Sequence, residues 1–391
     1  MTAILRSQLL SKFSCLGDKC EDTCCQGWSM QMDEPTLARY KKEAPELLGA
    51  VEAEPDGSHI MRKDPQTSFC VKLEGGLCGI HKTHGEKFLG DACYFYPRVT
   101  RALGNQVVMT AAMSCPEIVR LALADENACA WEEAAAERLP HSLKNYLPED
   151  TAAGDALAVH QAFLKATEDK QASAERIFLR IANVSRSFER IDRKGWPQAA
   201  PFYLTHADGR LPPPESDAAD PFNLLHALCG LIVASKKRPS PRLKQTIGDM
   251  EKALAATLDW DTVRINTTVQ SAAAYQKVKA LWQKEAAAKY APHLRRWLQM
   301  QLALALFPYA GLGDKLSERI TVIGVRLATI KLALMCSYNI YGATLPQDAA
   351  VRIMQSISRF MDHLGDPAFS MQIYTEPGWT QEKRMRGLLE I

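Results

Sequence analysis

Apolar positions recur at helical spacing through most of the chain. Beyond about residue 125 they fall in Ala-rich amphipathic segments at 128–139, 154–167, 172–191, 221–235, 242–257, 262–288, 291–307, 317–341 and 347–364. Pro-rich breaks such as Leu211-Pro212-Pro213-Pro214 and Pro239-Ser240-Pro241 separate several of them. This pattern predicts a helical domain over residues 126–365, with no period that suggests repeats. The front of the chain reads differently. Residues 1–14 look like a short lead-in whose Ile4, Leu5 and Phe13 could pack on the cysteine-rich module, and Ser29–Met32 alternates like a short strand. Asp33 suits an N-cap, with Glu34 and Pro35 in the first turn and Leu37, Tyr40, Ala44, Leu47 and Leu48 behind it at helical spacing. Gly75-Gly76 between 69–73 and 77–80, and Gly104-Asn105 between 99–103 and 107–113, are hairpin signals. The tail, 366–391, is polar, contains Pro367, Pro377 and Gly378, and receives no assignment. The fold class expected is mostly α: a small Cys-rich α+β metal-binding module with short hairpins over 1–125, followed by the helical domain.

Cysteine placement changes the picture most. Eight of eleven cysteines lie between Cys15 and Cys115, as Cys15-x4-Cys20-x3-Cys24-Cys25, then Cys70-x7-Cys78, Cys93 and Cys115. Cys129, Cys229 and Cys336 read as ordinary buried residues. The start of the chain carries Arg6 among its apolar residues and has no secretory pattern, and no apolar run is expected to reach membrane-spanning length. The chain is therefore expected in the cytoplasm, where clustered thiols more often hold metal than form disulfides. A net charge of +2 gives no reason to expect nucleic acid as a partner. Thiolates converging on one centre suit structural zinc or an iron–sulfur cluster, and spacing alone leaves both open. Cys24 and Cys25 are adjacent, so both are not expected on one small ion. Pro116 follows Cys115, which places that thiol at a helix N-terminus where the dipole favours thiolate. Nothing here matches the Cys-x3-Cys-x2-Cys triplet of radical S-adenosylmethionine enzymes or a dinucleotide-binding Gly-rich turn; Gly311-Leu312-Gly313 reads as a turn between helices.

The run from Cys15 through Gly17-Asp18-Lys19-Cys20, Thr23-Cys24-Cys25-Gln26-Gly27-Trp28, with Asp33, Thr36 and Tyr40 behind it, resembles the flagellin lysine-N-methylase family. So do Cys78-Gly79-Ile80-His81, Phe95-Tyr96-Pro97-Arg98 and Ser114-Cys115-Pro116-Glu117. The cysteine order also links the chain to a wider group of zinc- or iron-chelating domains. Leu294–Lys331, with Leu306-Phe307-Pro308, looks similar to the family's C-terminal part, more weakly. The resemblance implies methyl transfer from S-adenosylmethionine to lysine ε-amino groups of flagellin, by an enzyme carrying a [4Fe-4S] cluster. Its metal ligands would come from Cys15, Cys20, Cys24, Cys25, Cys70, Cys78, Cys93 and Cys115. An electron-transfer or metal-chelating module without methyltransferase activity is the alternative reading of the same thiols.

A lysine nucleophile must be neutral, and a free lysine is almost wholly protonated near pH 7. Asp22, Asp33, Asp91, Tyr94 and Tyr96, beside the cysteines, are candidates to take its proton. Asp33 has helix capping as its competing role, and Tyr96 has core packing. Trp28 offers an aromatic face to a sulfonium, His81 a ligand nitrogen next to Cys78, and Arg98 a guanidinium for a carboxylate. Packing, solvation and a surface ion pair are their respective alternatives.

Overall fold

The structure, a computed structural model, describes residues 2–391 apart from positions 27, 126, 129, 137, 207–211, 237, 363, 365 and 366. Cys129 and Gly27 thus lie outside the described residues.

The lead-in is a strand. β1 (Thr2–Ser7) is followed by a single helical turn, α1 (Leu9–Lys12). The short strand β2 (Gln31–Met32) precedes α2 (Glu34–Glu43), which Asp33 caps by accepting from the Thr36 N–H at 2.9 Å. β3 (Val51–Ala53) and β4 (His59–Met61) complete a small sheet in the order β2-β4-β3. Both expected hairpins form. β5 (Leu73–Glu74) pairs with β6 (Leu77–Cys78) across Gly75-Gly76, where both glycines have positive φ. After the short helices α3 (Gly79–His84) and α4 (Asp91–Phe95), β7 (Arg98–Leu103) pairs with β8 (Gln106–Ala111). α5 (Pro116–Ala124) starts at Cys115, and β9 (Trp131–Ala136) returns beside β1.

The last strand corrects the helix expected over 128–139. Its Ala and Glu residues favour helix locally, but six residue pairs from Thr2↔Ala136 to Ser7↔Trp131 complete the sheet β7-β8-β1-β9, and tertiary pairing overrides that weak preference. A second correction falls at 262–288, which is not one helix. It divides into a strand, a helix and a π-helical turn at Trp282–Ala286.

Behind the sheet come α6 (Ala153–Ala166), α7 (Ala174–Phe188), α8 (Trp196–His206), α9 (Asp220–Ala234) and α10 (Pro241–Leu254). The hairpin β10 (Ala256–Asp259) and β11 (Arg264–Thr267) leads to α11 (Ser271–Leu281), α12 (Ala287–Leu304), α13 (Leu316–Tyr341) and α14 (Gln347–Asp362). The unassigned tail also folds, as α15 (Pro367–Thr375) and α16 (Glu382–Leu389). Trp379 between these two is fully buried and donates to Asp220 at 3.0 Å, while Arg384 pairs with the same carboxylate at 2.7 Å. The chain is mostly α, with four small sheets among the described residues.

α13 is the helix around which the others pack. By length and composition it could cross a membrane, contrary to the expectation that no run would qualify, yet its most apolar window is wholly buried in the fold. Neighbours approach it closely: a Cβ on Gly324 would stand 2.5 Å from Phe178 Cζ and 2.7 Å from Met385 Sδ. One large apolar core runs from Ile4 to Ile391 and takes in the four-stranded sheet and α5. A second, small core of Met30, Met32, Tyr40, Leu47, Met61, Cys70, Ile80 and Phe88 lies beneath the remaining cysteine loops.

Candidate metal centre

Cys15 and Cys20 flank a tight turn at Gly17–Lys19, closed by the Cys20 N–H on the Gly17 carbonyl at 3.2 Å; Gly17 takes a positive φ there. The chain then folds back through Asp22 and Thr23. Asp22 accepts from the Thr23 N–H at 2.8 Å, and Thr23 Oγ1 accepts from the Cys25 N–H at 3.1 Å. The Cys25 carbonyl receives the Cys70 N–H at 2.8 Å, joining the first cysteine loop to the second. Cys78 stands opposite Leu73 in the β5–β6 hairpin, whose Leu73 N–H donates to the Cys70 carbonyl at 2.9 Å. Cys93 sits in α4, and Cys115 at the N-terminus of α5.

All eight of these cysteines line one cavity of about 770 Å³. The ten described cysteines are free thiols, and Cys229 and Cys336 are buried in the large core away from this cavity. Asp22, Trp28, His81, Tyr94, Tyr96 and Arg98 share the lining. Asp33 and Asp91 are not among the lining residues. The two Asp33 oxygens accept from the Thr36 and Asp91 N–H groups at 2.9 and 2.8 Å, so Asp33 fills the capping role and splices α2 to α4. Burial alone would raise its pKa, but these donors, with His141 beside them, hold it below the usual carboxylate value. Asp91 meets Arg138 at 2.9 Å and the His141 ring at 3.0 Å.

The other candidates take distinct positions. Trp28 Nε1 donates to the Cys24 carbonyl at 2.7 Å, and its ring lies 5.9 Å from that of Tyr96. The Tyr96 hydroxyl donates to Ser114 Oγ at 3.2 Å, and burial drives its pKa well above normal. Tyr94 is half-buried with the Arg138 guanidinium 4.1 Å from its ring centre, and its hydroxyl has no hydrogen bond among the described residues. The Arg98 guanidinium lies 5.3 Å over the Phe13 ring and makes no ion pair among the described residues. His81 is exposed at the cavity rim.

Thiol environments differ sharply. The hydrogen bond from Cys25 brings the Cys24 thiol down to about 7, overcoming burial with help from the Arg359 charge, while the same contact and burial push Cys25 far up. Burial raises Cys20, Cys70 and Cys93. Cys115 corrects the expectation from its helix position. The backbone N–H groups of Ile118 and Glu117 do favour its thiolate, but desolvation outweighs them and raises it to about 12.

Sequence reasoning missed the contribution of α14. Arg359 pairs with the buried Asp22 carboxylate, lines the cavity, and donates to the Gln26 carbonyl at 2.7 Å. Gln355 Nε2 donates to Asp22 at 2.7 Å and to the Ser114 carbonyl at 3.0 Å, and Arg242 Nε donates to Gln355 Oε1 at 2.9 Å. A helix from the end of the chain thereby fastens both the Cys20–Cys25 loop and the Cys115 turn. The available signal was Arg352, Gln355 and Arg359 on one face of an apolar helix, polar residues at core spacing that need partners.

The chain is 28% identical over 135 residues to the lysine-N-methylase of Salmonella typhimurium (strain LT2), covering 32% of this chain and 33% of that protein. The same identity and length relate it to the flagellar biosynthetic protein FliU of Salmonella muenchen, 79% of which is covered. A lysine-N-methylase of Salmonella choleraesuis (strain SC-B67) matches at 28%, over 33% of its length. The chain thus spans about a third of the two methylases it matches. These relatives support the relationship to flagellin lysine-N-methylases that the cysteine spacings suggest. No family model matches the chain, and no solved structure does.

Proposed function

We propose that this chain transfers methyl groups from S-adenosylmethionine to lysine side chains of flagellin, and that the thiol-lined cavity holds a [4Fe-4S] cluster. The observation that carries the reading is the convergence on one cavity, with room for more than a metal ion, of eight free thiols and Arg98, which has no ion pair among the described residues. The donor set fits such a cluster. Cys70, Cys78, Cys93 and one of the Cys24–Cys25 pair sit around one wall, and four thiolates are the usual ligand set of such a cluster. Bound there, a cluster would tie those segments together and supply an iron centre of tunable potential.

The chain's own residues would do the rest. Arg98, Trp28 and Tyr96 all line the cavity; Arg98 would take the cosubstrate carboxylate as a charge-assisted pair, and the two aromatic rings would meet its sulfonium. Desolvation within the cavity favours the neutral form of an entering lysine amine. Asp22 is held by Arg359 and Gln355, and Asp33 by two backbone donors, so both act on geometry. Tyr94 Oη remains to accept an N–H from the amine and aim its lone pair.

The test is protein prepared without oxygen, incubated with methyl-labelled S-adenosylmethionine and flagellin. Brown protein, label on flagellin lysines and, for Arg98→Ala, cosubstrate binding weakened about tenfold, the cost of a lost charged hydrogen bond, are expected. Absence of label, with cosubstrate binding equal in wild type and Arg98→Ala, refutes the reading.

A further inference from the structure

We infer that Arg138 is a positioning residue for methyl transfer: its guanidinium fixes the Tyr94 ring, and so the direction in which Tyr94 Oη meets the lysine amine. The inference rests on the methyl transfer proposed above and deepens it.

Arg138 reaches the cavity from the sheet side. It follows β9 and lines the cavity together with Ala135, Ala136 and Tyr94. Its guanidinium stands 4.1 Å from the centre of the Tyr94 ring and 5.6 Å from that of Phe95. The Phe95 ring meets the Tyr94 ring edge-on, with centres 4.9 Å apart and planes at 79°. A planar cation on a ring face and an aromatic edge are both directional contacts, so together they limit how the phenol turns. The hydroxyl itself makes no hydrogen bond among the described residues, so these two contacts set its direction.

The guanidinium is fixed in its turn. Arg138 Nη2 donates to Asp91 Oδ1 at 2.9 Å, and Asp91 lies three residues before Tyr94 on α4. Asp91 also accepts from the His141 N–H at 2.5 Å and faces the His141 ring at 3.0 Å. That ring lies 3.2 Å from Asp33, which joins α2 to α4. Ligand atoms of Asp33, Asp91 and His141 come within 4.8 Å of one another, close enough for an ion. Their carboxylate oxygens already accept from the Thr36, Asp91 and His141 N–H groups and from Arg138, so the cation at this group is the guanidinium. Asp91 balances the Arg138 charge, which leaves the cosubstrate carboxylate to Arg98.

In the transfer, the amine nitrogen bonds the methyl carbon as the carbon–sulfur bond breaks. The thioether leaves, and the methylated ammonium sheds its proton to water. Attack must be in line with the departing sulfur, so a lone pair turned aside costs rate and spares binding. A phenol oxygen that accepts one amine N–H sets that angle only if its own ring is held.

Single-turnover methyl transfer to flagellin by wild type, Arg138→Met, Tyr94→Phe and the double variant tests this. Arg138→Met should lower the rate constant about tenfold, with cosubstrate Kd and metal per chain unchanged. In the Tyr94→Phe background the same substitution should change the rate by less than about twofold, because the hydroxyl it directs is gone. Arg138→Lys keeps the ion pair with Asp91 but has no planar face for the ring, and should lose most of the rate as well. Equal losses in both backgrounds overturn the inference, as does a rate unchanged in Arg138→Met or fully recovered by lysine. Loss of metal along with rate also overturns it, since Arg138 would then act by supporting the thiol wall. Wild type that transfers no methyl group refutes the methyltransferase reading and this inference with it, a result told apart by there being no rate to lose.

Discussion

A single buried histidine illustrates how packing decides chemistry in this chain. His160 on α6 is fully buried, its Nδ1 is 2.7 Å from the Phe307 carbonyl, and its ring lies 6.1 Å from that of Trp131 on β9. Burial lowers its pKa to about 4. Unfolded histidine titrates near 6.5, so between these values the unfolded chain binds a proton the folded chain refuses. Stability present above pH 6.5 is therefore lost as pH falls toward 4, by up to about 3 kcal/mol. His293, also lowered to about 4 by burial, pushes the same way. Denaturant titrations of wild type and His160→Gln across pH 4–7 should show roughly half of this slope missing in the variant; equal slopes would place the acid sensitivity elsewhere. Nothing in the sequence marked this histidine, whereas Asp33 was legible because a cap needs only its next three residues. Cysteine spacing was legible for a similar reason, since few residues are tolerated so densely without a shared use. Arg359 was not, because its partners are 333 and 337 residues away, at Gln26 and Asp22.

At the scale of elements, local pattern predicted well where a helix buries one stripe against neighbours, and poorly where pairing across the chain decides. α6, α7, α9, α10, α12, α13 and α14 match segments expected from periodicity, and both Gly-containing hairpins form. β9 and the tail helices required knowledge of what they meet: β1 in one case, Asp220 and α13 in the other. α14 carries the most consequence, since it connects the helical core to the cysteine loop. Arg359→Met leaves the Asp22 carboxylate buried without its cation, which costs about 3–5 kcal/mol locally. Amide hydrogen exchange over 20–26 should rise by two or more orders of magnitude in that variant while α13 stays protected. Asp22→Asn with Arg359→Met, which removes both charges, should recover most of the protection. Unchanged exchange in the single variant would show that the loop stands without α14.

Across the whole molecule the two cores differ in what secures them. The large core holds the sheet and the helices through apolar area, with α13 enclosed on all sides, and needs no metal for cohesion. The small core has few large side chains, its sheet is made of strands two or three residues long, and several of its contacts are cysteines. Strands that short are marginal without a further tie, which the cluster proposed above would supply if bound across Cys25, Cys70, Cys78 and Cys93. Stripping metal with a chelator under reducing conditions should therefore speed exchange in 24–33 and 59–95, with little change in 98–111 or in α13. The boundary falls within the cysteine-rich stretch, since β7, β8 and α5 belong with the helices. Uniform loosening of the chain on metal removal would show the two cores melting as one unit, and no loosening anywhere would show that the thiol wall is rigid before any metal arrives.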